Sequence, residues 1–475
     1  MILVRQTILI ALLVFCAQAA AEVRSSDFTD PWQVYAHELL RDSIAFRSFR
    51  GEKQVVPLTE FLAKEFIDAG FPTEDVRILP LDSDGEPVAS LVVRYRGSSD
   101  TKRPILFVAH TDVVPAANEN WKYDPFVLTE DNGYYYGRGV LDDKYGTTVL
   151  TTTFLRLKKE GFAPERDLII AFTGDEETEM RTIKSLAEDH LDLIDAEIAF
   201  NLDAGEGRSD EQFRPVASYL QFAEKTYATF EISASNPGGH SSRPTAENAI
   251  ADLARAITAI HEYEFPVRSS VEIRTFFAAM GDLNDGDLGD AMSRFAANPN
   301  DTDASDYLSN DPEYIGMVRT TCVSTMLRGG HVENALPESA TVTVNCRIYP
   351  GVEVSAVEAA LKRAVNNPEI EFVTLGDPEA SPSSPVRADV VALIEAVTAK
   401  QFPDYPNVPV VPLLASYATD GIYLRGAGIT TYGLLGVFLR ARDDQSHSSN
   451  EKLPIEGFYK ALDFWYGLTQ DLAAL

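Results

Sequence analysis

The chain is poor in cysteine, with three in 475 residues, and in positive charge, with 41 Lys and Arg against 72 Asp and Glu. It also lacks an internal repeat, a low-complexity tract and a long apolar run. Each shortage excludes something. Cys16 lies in an N-terminal segment that reads as removable, so only Cys322 and Cys346 remain; that rules out a disulfide framework and leaves either one bridge or two buried thiols. A formal charge of −31 repels nucleic acid and anionic membranes at long range. The apolar run from Thr7 to Phe15 is too short for a stable membrane anchor.

What is present is a chain that is 45% hydrophobic, enough for two domains with cores of their own. Its first residues, "MILVRQTILIALLVFCAQAAAEVRSS", set Arg5 before an apolar run and small residues after it. This is the three-part pattern of a secretory signal, with cleavage near Ala19 to Ala21 and a secreted or periplasmic mature protein. Phe15 is bulky where a small residue should precede a lipidated Cys16, which favours the soluble form.

Buried-looking strands then alternate with helical patterns: "PVASLVVRY", "PILFVAH", "GTTVLTTTFLRLKKEGF", "DLIIAFTGD", "TIKSLAEDHLDLI" and "AEIAFNLDAG". That alternation predicts an α/β domain with a mostly parallel sheet flanked by helices. After about Gln221 the order becomes strand, helix, two strands, helix, strand, the ferredoxin-like α+β pattern. The expected division is a signal peptide at 1–21, a catalytic domain at 22–221 and 379–475, and an inserted lid at 222–378. Within the lid, 265–312 is rich in Asp, Gly and Asn and reads as a solvated, partly helical insertion; its acids lack the order of a calcium loop.

The chemistry gathers at predicted strand ends and connecting loops. "PILFVAHTD" ends with His110 and Asp112, which share a side in extended chain, so that a carboxylate can orient a metal-ligating imidazole. "YYYGRGVLDDKYG" carries Asp142, Asp143 and Lys144 before a helix. "GDEETE" comes after a buried strand, and its adjacent Glu176 and Glu177 point to different sides, one toward a metal and one toward a water. Asp203 lies in "FNLDAG" and His447 in "DDQSHSSNEKLP". Two imidazoles and three carboxylates supply two metals with three ligands each if one carboxylate bridges, the open arrangement of catalytic zinc.

In this order the motifs "HTDVVP", "YGRGVLDDK", "GDEE", "NLDAG", "GGHSSRP", "NALP", "NCRIYPG" and "HSSNEKLP" resemble the dinuclear zinc amidohydrolases that include aminoacylases, carboxypeptidase G, carnosinases and succinyl-diaminopimelate desuccinylase. The match covers nearly the whole mature chain. The pairing of "HTDVVPA" with "YGRGVLDDK" looks most like the branch of the carboxypeptidase S type and the secreted N-acyl amino acid hydrolases. The resemblance implies two divalent ions, zinc being favoured, bridged by Asp142. One is completed by His110 and Asp203, the other by Glu177 and His447. It makes Glu176 the general base and Asp112 the residue that holds His110. It also makes Arg347 the anchor of the substrate carboxylate, His240 the oxyanion donor and Asn334 a further polar contact. Asp143 falls behind the ligands and Lys144 is structural.

The expected reaction is hydrolysis of the amide bond in dipeptides or N-acyl amino acids that carry a free carboxylate. The rivals are a dinuclear aminopeptidase, which needs no anchoring arginine, and a zinc-containing binding protein without activity. Expected partners are small molecules, with no nucleic acid and no stable membrane anchor. The resemblance implies a homodimer through the lid in which His240 acts on the neighbouring subunit; the long acidic insertion leaves that pairing open.

Overall fold

The computed structural model describes residues 23–380 and 382–475; the signal-peptide expectation and Cys16 lie outside them. A ten-stranded mixed sheet forms the larger layer. At its centre, strand Ile105–His110 runs parallel to Leu168–Thr173 on one side and to Ile198–Asn201 on the other. Thr430–Gly433 continues the parallel run beside Ile198–Asn201. The hairpin Val76–Ser83 and Glu86–Tyr95 closes one edge antiparallel.

Every residue of Ile105–His110 and Leu168–Thr173 is buried, which is why these strands read as unbroken apolar runs rather than alternating ones. Helices cover both faces: Leu106 and Val108 share a buried cluster with Ile183 and Leu186 of helix Arg181–Glu188 on one face, and Phe107 points to the other. Phe107 meets Phe154 of helix Lys144–Lys159, at 5.8 Å between ring centroids, and Trp465 of the closing helix Ile455–Ala474, at 6.0 Å. Each such fully buried aromatic contributes roughly 1.5–3 kcal/mol.

The second layer pair is a smaller α+β unit in the region expected to be the lid, and it is called the lid below. Its four antiparallel strands lie in the order Thr321–Gly329, Ser339–Ile348, Thr226–Ser235, Glu371–Leu375, the strand order of a ferredoxin-like domain. Helices Ala249–Glu262 and Val354–Val365 pack on its inner face, with Leu253, Ile260 and Leu361 in the core. Alternate residues of Ser339–Ile348 are buried, matching the period of two that set this region apart. Cys322 and Cys346 are directly opposed across the sheet and form a disulfide.

The stretch 265–312 is more helical than its composition suggests. Val271–Leu283, Gly286–Ala297 and Thr302–Ser309 are helices, two of them opened by Ser270 and Asp301, whose side chains accept from Ile273 and Ala304 backbone N–H groups. Their Phe276, Phe277, Met280 and Phe295 are buried in the same cluster as the large sheet, not in the lid core. The Tyr219 ring, on strand Pro215–Glu224, lies 6.1 Å from that of Phe276 and tilted to it by 41°. The many acids are the solvent face of amphipathic helices.

Candidate active site

Three neighbouring parallel strands end on one side of the sheet, and the loops leaving those ends meet there. Strand Ile105–His110 delivers His110, Leu168–Thr173 leads into Glu176 and Glu177, and Ile198–Asn201 leads into Asp203. Open α/β sheets place their sites at this edge because the connecting loops converge on it.

Asp142 is central. Its Oδ1 lies 2.9 Å from His110 Nε2 and its Oδ2 lies 3.1 Å from His447 Nε2. His110 Nε2 is also 3.5 Å from Asp203 Oδ1, and His447 Nε2 is 2.9 Å from Glu177 Oε1. One carboxylate therefore joins two imidazole–carboxylate pairs. Donor atoms of His110, Asp142 and Glu177, and of His110, Asp143 and Asp203, converge closely enough to share an ion.

The electrostatics fit cations. Burial works against the charged form of Asp142, yet the two imidazoles hold its carboxyl well below the ordinary range. Burial pushes Asp203 up to about 7, and burial with Asp203 beside it drives Glu176 well above the usual carboxylate range. Like charges gathered away from water force protons on unless positive charge is supplied, and imidazole with carboxylate is the donor set of zinc and its neighbours.

The residues of the nest are held from behind. His110 Nδ1 lies 3.0 Å from the Asp112 backbone carbonyl and 3.6 Å from its carboxylate. The Asp112 carboxylate instead accepts the backbone N–H groups of Glu176 and Glu177, both at 3.1 Å. Asp143 is fully buried, accepts from the His110 backbone N–H at 3.2 Å and caps helix Lys144–Lys159 through Gly146 N–H at 2.9 Å. A Cβ on Gly146 would fall 2.3 Å from Asp143 Oδ1, so only glycine permits that approach. Lys144 donates to the Phe46 carbonyl at 2.6 Å, a structural bond.

The four acids of "GDEETE" thus divide their work. Asp175 accepts from Ser83 and from the Arg181 and Thr182 backbone, opening the next helix. Glu176 and Glu177 face the site, and Glu179 pairs with Arg50 at 3.3 Å.

Sequence reasoning gave no role to Glu451. It is fully buried and accepts from Arg138, Gly139, Leu141 and Asp142, so it fixes the loop that presents Asp142. Its position four residues after His447 was the available signal. Buried Asp420, which accepts from Thr173, was missed as well.

A cavity of about 780 Å³ is lined by Asp142, Glu176, Glu177, Asp203 and His447, and by Arg347, Tyr227 and Thr229 from the smaller α+β unit. The Arg347 guanidinium sits 4.7 Å from the Tyr227 ring centroid. His240 and Asn334 are not brought to it. His240 is exposed on the ribbon formed by Gly239–His240 and Ala335–Leu336, and the Asn334 carbonyl accepts from Ser241 on the same ribbon.

Residues 106–471 match the peptidase family M20/M25/M40. The chain belongs to that family. It is a metallopeptidase-type amidohydrolase, and its nest of imidazoles and carboxylates is a candidate metal site. Human N-fatty-acyl-amino acid synthase/hydrolase PM20D1 is 26% identical over 461 residues, covering 94% of this chain and 89% of that one. Probable carboxypeptidase S-like 2 of Dictyostelium discoideum is 27% identical over 398 residues, with 80% and 74% covered. Among solved structures, the M20 family metallo-carboxypeptidase Sso-CP2 of Sulfolobus solfataricus superposes with a TM-score of 0.67 at 18% identity, covering 94% of this chain and 100% of that one. That likeness is one of fold.

Proposed function

We propose that this M20 enzyme hydrolyses the amide bond of dipeptides or N-acyl amino acids bearing a free carboxylate, with two zinc ions held by His110, Asp142, Asp203, Glu177 and His447. The observation that carries the reading is the division of Asp142 between the two histidines, 2.9 Å on one side and 3.1 Å on the other. When bound, the two ions supply Lewis acidity to the scissile carbonyl and acidify a water.

Glu176 is the general base: it takes the proton of the attacking water and passes it to the leaving amine. Its burial and raised proton affinity suit a group that must hold a proton between the two steps. Arg347 anchors the free carboxylate from the lid side through a planar bidentate donor. His240 and Asn334 act on the site of a second copy, His240 as oxyanion donor. Support comes from their exposure and from the lid's edge strand, which leaves Val323, Met326 and Leu327 uncovered. No helix among the described residues is long and apolar enough to cross a membrane. The N-terminal pattern supports export, and the size of the cavity supports a small-molecule substrate.

The deciding experiment measures amino acid release from dipeptides and N-acyl amino acids by metal-stripped and zinc-reconstituted protein. Zinc-restored cleavage confined to substrates with a free carboxylate upholds the reading. Glu176→Gln is expected to keep its metal and lose turnover; a fully active variant removes the assigned role.

A further inference from the structure

The cavity does not end at the metal ligands. Its lid side carries Arg347, whose strand neighbour is Tyr227. On the side of the large sheet, next to where strand Gly207–Ser209 runs parallel to Phe438–Arg440, Glu206, Asp444, Leu435, Leu439 and Tyr417 line the same cavity. If the amino acid released is held by Arg347 and the scissile carbonyl lies over the ligand nest, this sheet side receives the acyl half. The inference therefore rests on the hydrolase reading above.

Glu206 is out of place for a pocket meant only for an alkyl chain. It is half-buried, beside buried Leu435 and Leu439. Burial pushes its carboxyl above the ordinary range, Asp444 adds to the shift and Arg208 opposes it. Arg208 is engaged elsewhere, 3.6 Å from Glu313. The Glu206 backbone N–H works the same way as Arg208, favouring the charged form. Asp444 accepts from the Ser446 N–H and hydroxyl at 3.4 and 3.2 Å and brings no positive charge. Two divalent ions are balanced by Asp142, Glu177, Asp203 and a hydroxide, and Arg347 by the substrate carboxylate. Asp444 is exposed and kept charged by water, whereas Glu206 is half-buried and pairs with no cation in an ion pair among the described residues, and a partly buried charge needs a counter-charge.

We infer that Glu206 is a specificity-determining residue whose counter-charge comes from the substrate: the ammonium group of an aminoacyl unit. The preferred substrates are then zwitterionic dipeptides, held at the carboxylate by Arg347 and at the ammonium by Glu206, rather than N-acyl amino acids with a plain alkyl chain. This differs from an aminopeptidase, which would not need the carboxylate.

The test compares kcat/KM for L-alanyl-L-leucine, N-propanoyl-L-leucine, which lacks only the ammonium, and L-alanyl-L-leucinamide, which lacks the carboxylate. The zinc enzyme is expected to favour the dipeptide over both by at least tenfold, and Glu206→Gln to lower the dipeptide-to-propanoyl ratio at least tenfold. A ratio unchanged in Glu206→Gln, or a wild-type preference for the propanoyl compound, overturns the inference while leaving the hydrolase reading intact. Calorimetric titration of L-alanyl-L-leucine into zinc-loaded Glu176→Gln supplies a readout without turnover. Binding that weakens tenfold on adding Glu206→Gln upholds the subsite even if the hydrolase reading fails, and absence of binding overturns it. Melting temperatures are read first, and Glu206→Ala replaces the Gln variant if that one does not fold.

Discussion

Asp112 holds Glu176 by its backbone: one carboxylate oxygen accepts the Glu176 N–H and the other the Glu177 N–H, both at 3.1 Å. The proposed base and one proposed metal ligand thus take their positions from the strand end that also carries His110. The same carboxylate ties both glutamates to the strand end of His110.

Asp112→Asn keeps the shape but gives up the charge and one acceptor oxygen. Loss of such support behind metal ligands typically costs about 10–100-fold in affinity or activity. The expected outcome is a fall of that size in kcat/KM with weakened zinc retention, read by steady-state kinetics and by metal content after dialysis. A variant with normal metal content and normal turnover would show that the loop needs no such anchor.

Glu451 tests whether the Asp142 loop is held from the chain's far end. Its carboxylate pairs with buried Arg138 at 2.7 Å and accepts three backbone N–H groups. Breaking a buried pair by removing one partner costs about 3–5 kcal/mol. Glu451→Ala is expected to lose stability on that scale in urea unfolding and to bind zinc less well. A loss below about 1 kcal/mol, the level of an exposed pair, would contradict the buried role.

Metal removal should destabilise the fold. The nest gathers Asp142, Asp203, Glu176 and Glu177 with little or no solvent exposure, and ions that bind only the folded state stabilise it by mass action, about 4 kcal/mol at 1,000 times their dissociation constant. Chelation is expected to lower the melting temperature and zinc to restore it. Asp142→Asn should abolish that zinc-dependent shift.

Lys225, between strands Pro215–Glu224 and Thr226–Ser235, is fully buried and donates to the Arg319 carbonyl at 2.8 Å. Burial, with Arg347 nearby, pulls its ammonium down to about 7, against about 10.4 in an unfolded chain. Between those values the unfolded state holds the extra proton, so this residue makes stability rise with pH from about 7 to about 10 and adds no slope below it. Lys225→Met lacks that contribution. Unfolding free energies measured from pH 6 to 10 should show wild type gaining on the variant by on the order of a few kcal/mol across the window. A constant difference would mean that Lys225 stays charged in the folded protein.

The strands of the large sheet, the order of elements in the smaller α+β unit and the gathering of imidazoles and carboxylates at strand ends were legible in the sequence, because burial on both faces, alternation and helical period are local patterns that each segment carries for itself. Apolar "ILFVAH" and "LIIAFT" had to be central strands, and polar residues at their ends had to gather at one edge. Tertiary structure alone decided the rest. The partner of the Asp112 carboxylate, the hold of Glu451 on Asp142, the burial of 265–312 against the large sheet and the acidic lining of the cavity's sheet side all join residues far apart in the chain. So does the separation of His240 from the cavity that Arg347 lines. No spacing encodes such contacts, since they depend on how loops from different strands meet after the sheet has formed.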